Sequence, residues 1–206
     1  NPKISITDCF RHTAPFLIRL QNFMREFTDR ELFLALQHAR SLDENTGRRI
    51  LEQFQIKQPA LAQTLLGVFP SVIAQQQIAM SHHFMDLCFD LICIFEHILG
   101  PLPDQATSGK GWIEQQARLL NSELQAMMKD PAMANKIRDS LQNRFMERLI
   151  EDQPQSRLNQ LMDEAVSDFA HEQGITGQAV TNTATALFVS IRLLNSVYAA
   201  STSFEA

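Results

Sequence analysis

Residues 70–99, PSVIAQQQIAMSHHFMDLCFDLICIFEHIL, decide the fold class of this chain. The stretch contains no Pro or Gly after its first residue, so no residue in it obliges a helix to end. Apolar residues run continuously at 84–85, 87–89 and 91–95, which breaks the two-residue alternation of a strand. On a helical wheel the apolar residues cover most of one half and leave a narrower polar stripe. The sequence therefore predicts one long helix over residues 70–99.

The composition of the whole chain favours helices as well. Gly is scarce, with 7 residues in 206, and apolar residues make up 45%, enough for a sizeable core. Turn and capping signals divide the chain into about nine helical segments, at 15–27, 31–42, 48–57, 59–69, 70–99, 112–128, 131–152, 157–173 and 178–200. We expect an all-α fold in which residues 1–206 form a single compact domain of eight or nine helices around the long central helix.

The segment 100–110, GPLPDQATSGK, is the most loop-like part of the chain because Pro and Gly cluster there. It offers an alternative organisation in two lobes, 1–100 and 111–206. Further back, the sequence Thr28-Asp29-Arg30-Glu31 is a capping box, in which Thr and Glu satisfy free N–H groups at the start of a helix.

The polar stripe of the central segment is the candidate functional site. His83, Asp86, Asp90 and His97 follow one another at spacings of 3, 4 and 7, which places them on one line along a helix. Imidazole and carboxylate groups are natural ligands for Zn, Fe or Mn, so the stripe predicts a metal or small-ligand site. The chain has no Glu-x-x-His, the usual element of paired-metal bundles. The same stripe is also typical of a solvated face, or of a polar seam between two proteins.

A second line of acidic and histidine residues lies near the C-terminal end. Glu164, Asp168 and His171 are spaced by 4 and 3 residues in a segment with helical periodicity. Two such lines facing one another across a bundle would be able to share an ion, and each alone is typical of a solvated helix face.

The charge balance bears on possible partners. Lys and Arg number 18 against 23 Asp and Glu, a formal charge of −5, and no basic block exceeds Arg48-Arg49. Nucleic acid and anionic membrane surfaces are disfavoured because both are bound by clustered cations. A DNA-reading pair of short helices within 28–69 is the exception to consider. Asp86, Asp90 and Glu96 argue against a membrane span, since each is costly at bilayer depth.

The cysteines Cys9, Cys88 and Cys93 are odd in number and imply no disulfide framework. No apolar signal segment precedes Cys9. Together these features favour a reducing compartment, and we expect a cytoplasmic protein.

Signatures of catalysis are missing from the sequence. It has no nucleophile elbow, His-Glu-x-x-His, Cys-x-x-Cys, phosphate-binding loop or dinucleotide-binding turn. No cofactor is predicted. We therefore expect a non-enzymatic helical protein that acts through protein–protein contact, either with another protein or with a second copy of itself as a homodimer. The alternative is a helical bundle that binds a metal ion or small ligand through His83, Asp86, Asp90 and His97.

Overall fold

The computed structural model describes residues 24–105 and 155–202, and every regular element within these ranges is a helix. Six helices follow in chain order: α1 Asp29–Ser41, α2 Glu44–Lys57, α3 Pro59–Ala74, α4 Ile78–Leu99, α5 Ser156–Gln173 and α6 Gln178–Thr202. The all-α prediction is confirmed. The predicted helices 112–128 and 131–152 lie outside the described residues, so a total of eight or nine helices stays a prediction.

Helix α4 is the centre of the described core. Helices α1, α3, α5 and α6 all pack against it. The middle of its apolar face is enclosed, and Phe84, Leu91 and Phe95 have no exposed surface. Burial of each such side chain stabilises the fold by about 1.5–3 kcal/mol relative to exposure. The apolar arc seen on the helical wheel is therefore the face that builds the core.

The prediction of one unbroken helix over residues 70–99 was wrong at its beginning. Helix α3 ends at Ala74, and α4 begins only at Ile78, after Gln77 takes an extended backbone (φ −157°, ψ 111°). Breaking the helix lets the chain fold back on itself. The rings of Phe69 and Phe84 then meet edge to face at 6.1 Å, and the Ser81 hydroxyl donates to the Pro70 carbonyl at 2.8 Å. Tertiary packing thus breaks the helix within a segment, 71–99, that contains no Pro or Gly.

Pro70 does not end the preceding helix, contrary to the predicted boundary at residue 69. Residues Thr64–Val68 form a π-helical turn, in which the Phe69 N–H bonds to the Thr64 carbonyl. Such a turn accommodates one extra residue and widens the helix. We infer that this widening relieves the clash that a proline ring normally makes with the preceding turn. Helix α3 consequently continues through Pro70 to Ala74.

Residues 24–28 approach α1 without helical structure, so the end of the predicted helix 15–27 was wrong for residues 24–27. Phe27 is fully buried and meets Phe95 edge to face at 5.3 Å. The Gln155 amide holds this segment, since its oxygen accepts from Phe27 N–H at 2.8 Å and its nitrogen donates to the Arg25 carbonyl at 2.9 Å. We call residues 24–28 together with Gln155 the junction.

Helices α1, α2 and α5 begin two, four and one residues earlier than the sequence predicts, at Asp29, Glu44 and Ser156. Helix α2 begins at Glu44, capped by Asp43, and takes in Gly47. A Cβ atom at Gly47 would lie 3.3 Å from the Phe89 ring, so the glycine allows α2 to approach α4 closely. Ser156 is the first residue of α5 rather than its cap. The carboxylate of Glu26 takes the capping role, accepting from the Ser156 hydroxyl and from Arg157 N–H.

The beginning of the predicted 100–110 loop is packed against the helices. Gln58 donates to the Pro103 carbonyl at 2.7 Å, and the Gln105 side chain accepts from Ala60 N–H at 3.1 Å. From the C-terminal side, the Tyr198 hydroxyl donates to the Gly100 carbonyl at 2.9 Å. Residues 106–154 lie outside the described residues. They include the end of the predicted loop and much of the second lobe, so the two-lobe division stays a prediction.

Helix α4 has the length and composition of a membrane-crossing helix. Core helices of soluble proteins share these properties, and 56% of its most apolar window is buried inside the protein.

Candidate functional site

The four residues of the predicted metal stripe lie along α4 in different surroundings. Asp86 and His97 are exposed, whereas His83 and Asp90 are half-buried. The stripe follows the line that the helical spacing predicts, but each residue meets different neighbours. The chemistry open to each side chain is therefore set by its own contacts.

His83 faces α5. Its ring lies flat on the ring of Phe169, with centroids 4.1 Å apart and planes 8° from parallel, and its Nε2 is 3.2 Å from the Ala165 carbonyl oxygen. A carbonyl oxygen only accepts, so Nε2 carries the proton in this arrangement. Only Nδ1 of His83 is then left for a metal ion, which reduces the freedom of this residue as a ligand.

Asp86 and Asp90 stand one helical turn apart, and the charge of Asp86 disfavours the charged form of Asp90. Burial raises the pKa of Asp90, and the negative charge of Asp86 adds to this effect, while the positive charge of Arg40 on α1 opposes it. The charged form of Asp90 is therefore disfavoured overall, because the positive charge of Arg40 only partly offsets the low-dielectric setting.

His97 lies at the last turn of α4 and meets His38 of α1. The two ring centroids are 4.8 Å apart and the planes are tilted by 32°. Both side chains border a pocket of about 400 Å³, whose lining residues are His38, Ile50, Cys93, Glu96, His97 and Pro101. We call this space the imidazole pocket.

Cys93 belongs to the polar stripe on the wheel but is buried, with 3% of its surface exposed. Burial, reinforced by the charges of Asp90 and Glu96, raises the pKa of its thiol to about 12. Cys88 is fully enclosed, and burial raises its pKa as well. Neither thiol is therefore in the thiolate form that a nucleophile requires near neutral pH.

The acidic line on α5 does not contact the stripe on α4 through its acidic or histidine side chains where His83 meets α5. Glu164, Asp168 and His171 are exposed, and what α5 presents to His83 is the Ala165 carbonyl and the Phe169 ring. Within residues 24–105 and 155–202, no group of three or more His, Cys, Asp or Glu side chains is placed to hold a metal ion. A site using His83, Asp86, Asp90 and His97 stays a prediction.

A groove lies between α1 and α5. Its volume is about 400 Å³, and its lining residues are Asp29, Leu32, Phe33, Leu36, Arg157, Gln160, Leu161 and Glu164. Arg157 reaches across one end to Asp29 at 3.3 Å. Phe33 is 65% exposed among the apolar residues of this lining, and the adjacent Leu34 is 45% exposed. We call this feature the α1/α5 groove.

Sequence reasoning missed both His38 and the groove as features of a site. The apolar spacing of Leu32, Phe33 and Leu36 was visible, but it is also what a fully buried helix face would show. His38 was one polar residue among several on α1, with its partner 59 residues away along the chain. Neither carries a local signal, because both depend on which helices become neighbours.

Comparison with protein-family models, with curated proteins and with solved structures finds no match to this chain. Any inference about its function therefore rests on the geometry of the chain itself.

Proposed function

We propose that this protein acts by binding another protein, and that the α1/α5 groove takes an amphipathic helix with basic flanking residues. The observation that carries the proposal is the exposure of Phe33, 65% of whose surface faces solvent in a groove lined by Leu32, Leu36 and Leu161. Apolar grooves between helices bind partner helices whose anchors recur at i, i+3 or i+4 and i+7. A groove with apolar residues beside charged ones favours an amphipathic helix over a flat polar contact.

Charge around the groove supports a basic partner. Helix α5 carries four carboxylates and a single arginine, and Arg157 is engaged with Asp29. Glu164 lines the groove, and Asp168 follows one turn later on the exposed face. The chain as a whole is also acidic, with a formal charge of −5. Complementary charge steers association and selects the partner more than it adds affinity.

The experiment uses two synthetic 16-residue amphipathic helices with the same Leu and Phe anchors. One has Lys at its polar positions and the other has Glu. We expect the Lys peptide to bind the full chain and to shift the NMR signals of residues lining the groove, and the Glu peptide to bind at least about tenfold more weakly, a difference of about 1.4 kcal/mol. Phe33→Ser should remove binding of the Lys peptide.

Ile56→Ser is the matched control, because Ile56 is 71% exposed on α2 and does not line the groove. Equal loss of binding in both variants, or equal binding of both peptides, would contradict the proposal. The mass of the protein in solution is measured in parallel. A dimer that becomes a monomer in Phe33→Ser would assign the groove to a second copy of the chain and overturn the basic-helix partner.

A second candidate function is binding of a metal ion or small ligand at the helical stripe. Its support is the line of His83, Asp86, Asp90 and His97 on α4, where Asp90 is half-buried. Elemental analysis of protein purified without a metal-affinity step tests it. Stoichiometric Zn, Fe or Mn that is lost in Asp90→Ala and His97→Ala supports this candidate, and its absence in the wild-type protein counts against it.

A further inference from the structure

The imidazole pocket brings together side chains from three parts of the fold. His38 comes from α1, Ile50 from α2, and Cys93 and His97 from α4. We propose that His38 and His97 form a two-imidazole site for a borderline divalent cation such as Zn²⁺, with water completing the coordination. The site shares His97 with the helical stripe, and its other ligand is not on α4.

The spacing of the two rings fits a shared ion. A metal at a Zn–N distance of about 2.0–2.1 Å lies about 3.2 Å from the centroid of the ring that binds it. Two rings whose nitrogens meet the ion at about 90–109° then have centroids about 4.5–5.2 Å apart. The centroids of His38 and His97 are 4.8 Å apart. The observed separation is inside that window.

The contact between His38 and His97 differs from a packing stack. Where α4 uses a histidine for packing, as at His83 and Phe169, the rings are nearly parallel and only 4.1 Å apart. The His38 and His97 planes are instead tilted by 32°, and both side chains are exposed. Because both side chains are exposed, an ion from solvent has access to their ring nitrogens, which bind metals in the plane of the ring.

The surroundings favour a cation, and the two helices that carry the ligands are packed against each other. Glu96 lines the pocket, and the charges of Asp90 and Glu96 both reach the Cys93 thiol beside it. His38 follows the buried residue Ala35 and precedes the buried Ala39 on a helix packed against α4, so the two ligands stand on rigid elements. Ligands whose backbones are held on packed helices lose less conformational entropy on binding than ligands on loops.

Water in the remaining positions is consistent with what the described residues offer. Within 24–105 and 155–202 no set of three or more His, Cys, Asp or Glu side chains is placed to hold a metal. Two protein ligands and an open pocket of about 400 Å³ leave space for bound water. Imidazole ligands suit Zn, Cu and Ni, and Zn²⁺ is the redox-inert member of that group.

Isothermal titration of the untagged full chain with Zn²⁺ tests the site. His38→Gln and His97→Gln should each weaken binding at least about tenfold, since even changes behind a metal ligand cost 10–100-fold. Because either change alone breaks the chelate, the double variant should bind no more weakly than about twofold below the weaker single variant. His82→Gln and His171→Gln are matched controls, as both residues are exposed and outside the pocket.

Three results would overturn the site: no Zn²⁺ binding by the wild-type protein at 100 μM metal, equal losses in the control variants, or losses at His38 and His97 that add as if independent. Imidazole NMR signals of the wild-type protein provide a readout that needs no variant. Zn²⁺ should shift the ring signals of His38 and His97 together, and a shift confined to other histidines would contradict the proposal. Phe33→Ser should leave Zn²⁺ affinity unchanged, which separates this site from the groove.

Discussion

Phe27 and Phe33 stand on either side of the start of α1 and have opposite surroundings. Phe27 is fully buried against Phe95 in the junction, whereas Phe33 is 65% exposed in the α1/α5 groove. The same residue type in nearly adjacent turns thus serves two purposes. At the junction the backbone around the ring is hydrogen-bonded to Gln155, and in the groove an apolar surface is left open. The difference separates surface that folds the chain from surface available to a partner.

The largest expected effect is on the buried side of this comparison. Phe27→Ala should destabilise the protein by about 3–5 kcal/mol, because it removes a fully enclosed ring and leaves a cavity beside Phe95. Chemical denaturation followed by circular dichroism measures the change. Phe27→Leu is the control and should cost much less, since it keeps most of the volume. A loss below about 1 kcal/mol in Phe27→Ala would mean that the junction does not fold together with the core.

The next effect concerns the polar half of the junction. Gln155→Ala should cost about 1–3 kcal/mol, because the buried N–H of Phe27 and the partly buried carbonyl of Arg25 lose their partner. Gln155 also has a left-handed backbone, φ 65°, which is strained for a residue other than glycine. Gln155→Gly loses the same bonds but relieves the strain. It should therefore be less destabilised than Gln155→Ala, by about 1 kcal/mol. The opposite order would show that the left-handed backbone at position 155 does not strain the folded protein, whereas a cost well below about 1 kcal/mol in both variants would show that the amide bonds contribute little.

The sequence predicts the local features of this molecule better than the long-range ones. The capping box at Thr28 and Glu31 is confirmed, since Thr28 N–H donates to Glu31 and Glu31 N–H donates back to Thr28 Oγ1. The two residues are only three positions apart, so the sequence alone brings them together at the start of the helix. Helices α1, α5 and α6 are also recovered to within a few residues at their ends, because their amphipathic periods are regular.

Features that depend on distant residues were out of reach. The cap that Glu26 supplies to α5 and the amide bonds of Gln155 connect residues about 130 positions apart. The break after Ala74 accompanies packing between Phe69 and Phe84, and no proline or glycine near it predicts a helix end. The same limit applies to the candidate site. Helical spacing predicts the stripe on α4, but His38 meets His97 only because α1 packs against α4.

A smaller effect at the junction depends on pH. Hydrogen bonds from Arg25 and from Thr28 hold the pKa of Glu31 at about 2, below its ordinary 4.5. A carboxyl whose pKa is lowered in the folded state stabilises the protein above the unfolded value, and the contribution is lost as pH falls. Glu31→Gln should therefore unfold at a lower temperature than the wild type at pH 7, and the two should converge as pH falls from 4.5 towards 2. A difference that stays constant over this range would exclude the charge of Glu31 as its cause.

The smallest effect on stability is expected at Phe33, the exposed member of the pair. Phe33→Ser should change the free energy of unfolding by no more than about 0.5 kcal/mol, because most of the ring already faces solvent in the folded protein. The same variant is expected to lose the basic amphipathic peptide altogether. Chemical denaturation and peptide titration on one preparation give both numbers. A loss of several kcal/mol would show that Phe33 belongs to the core like Phe27, and would remove the physical reason for treating the α1/α5 groove as a binding surface.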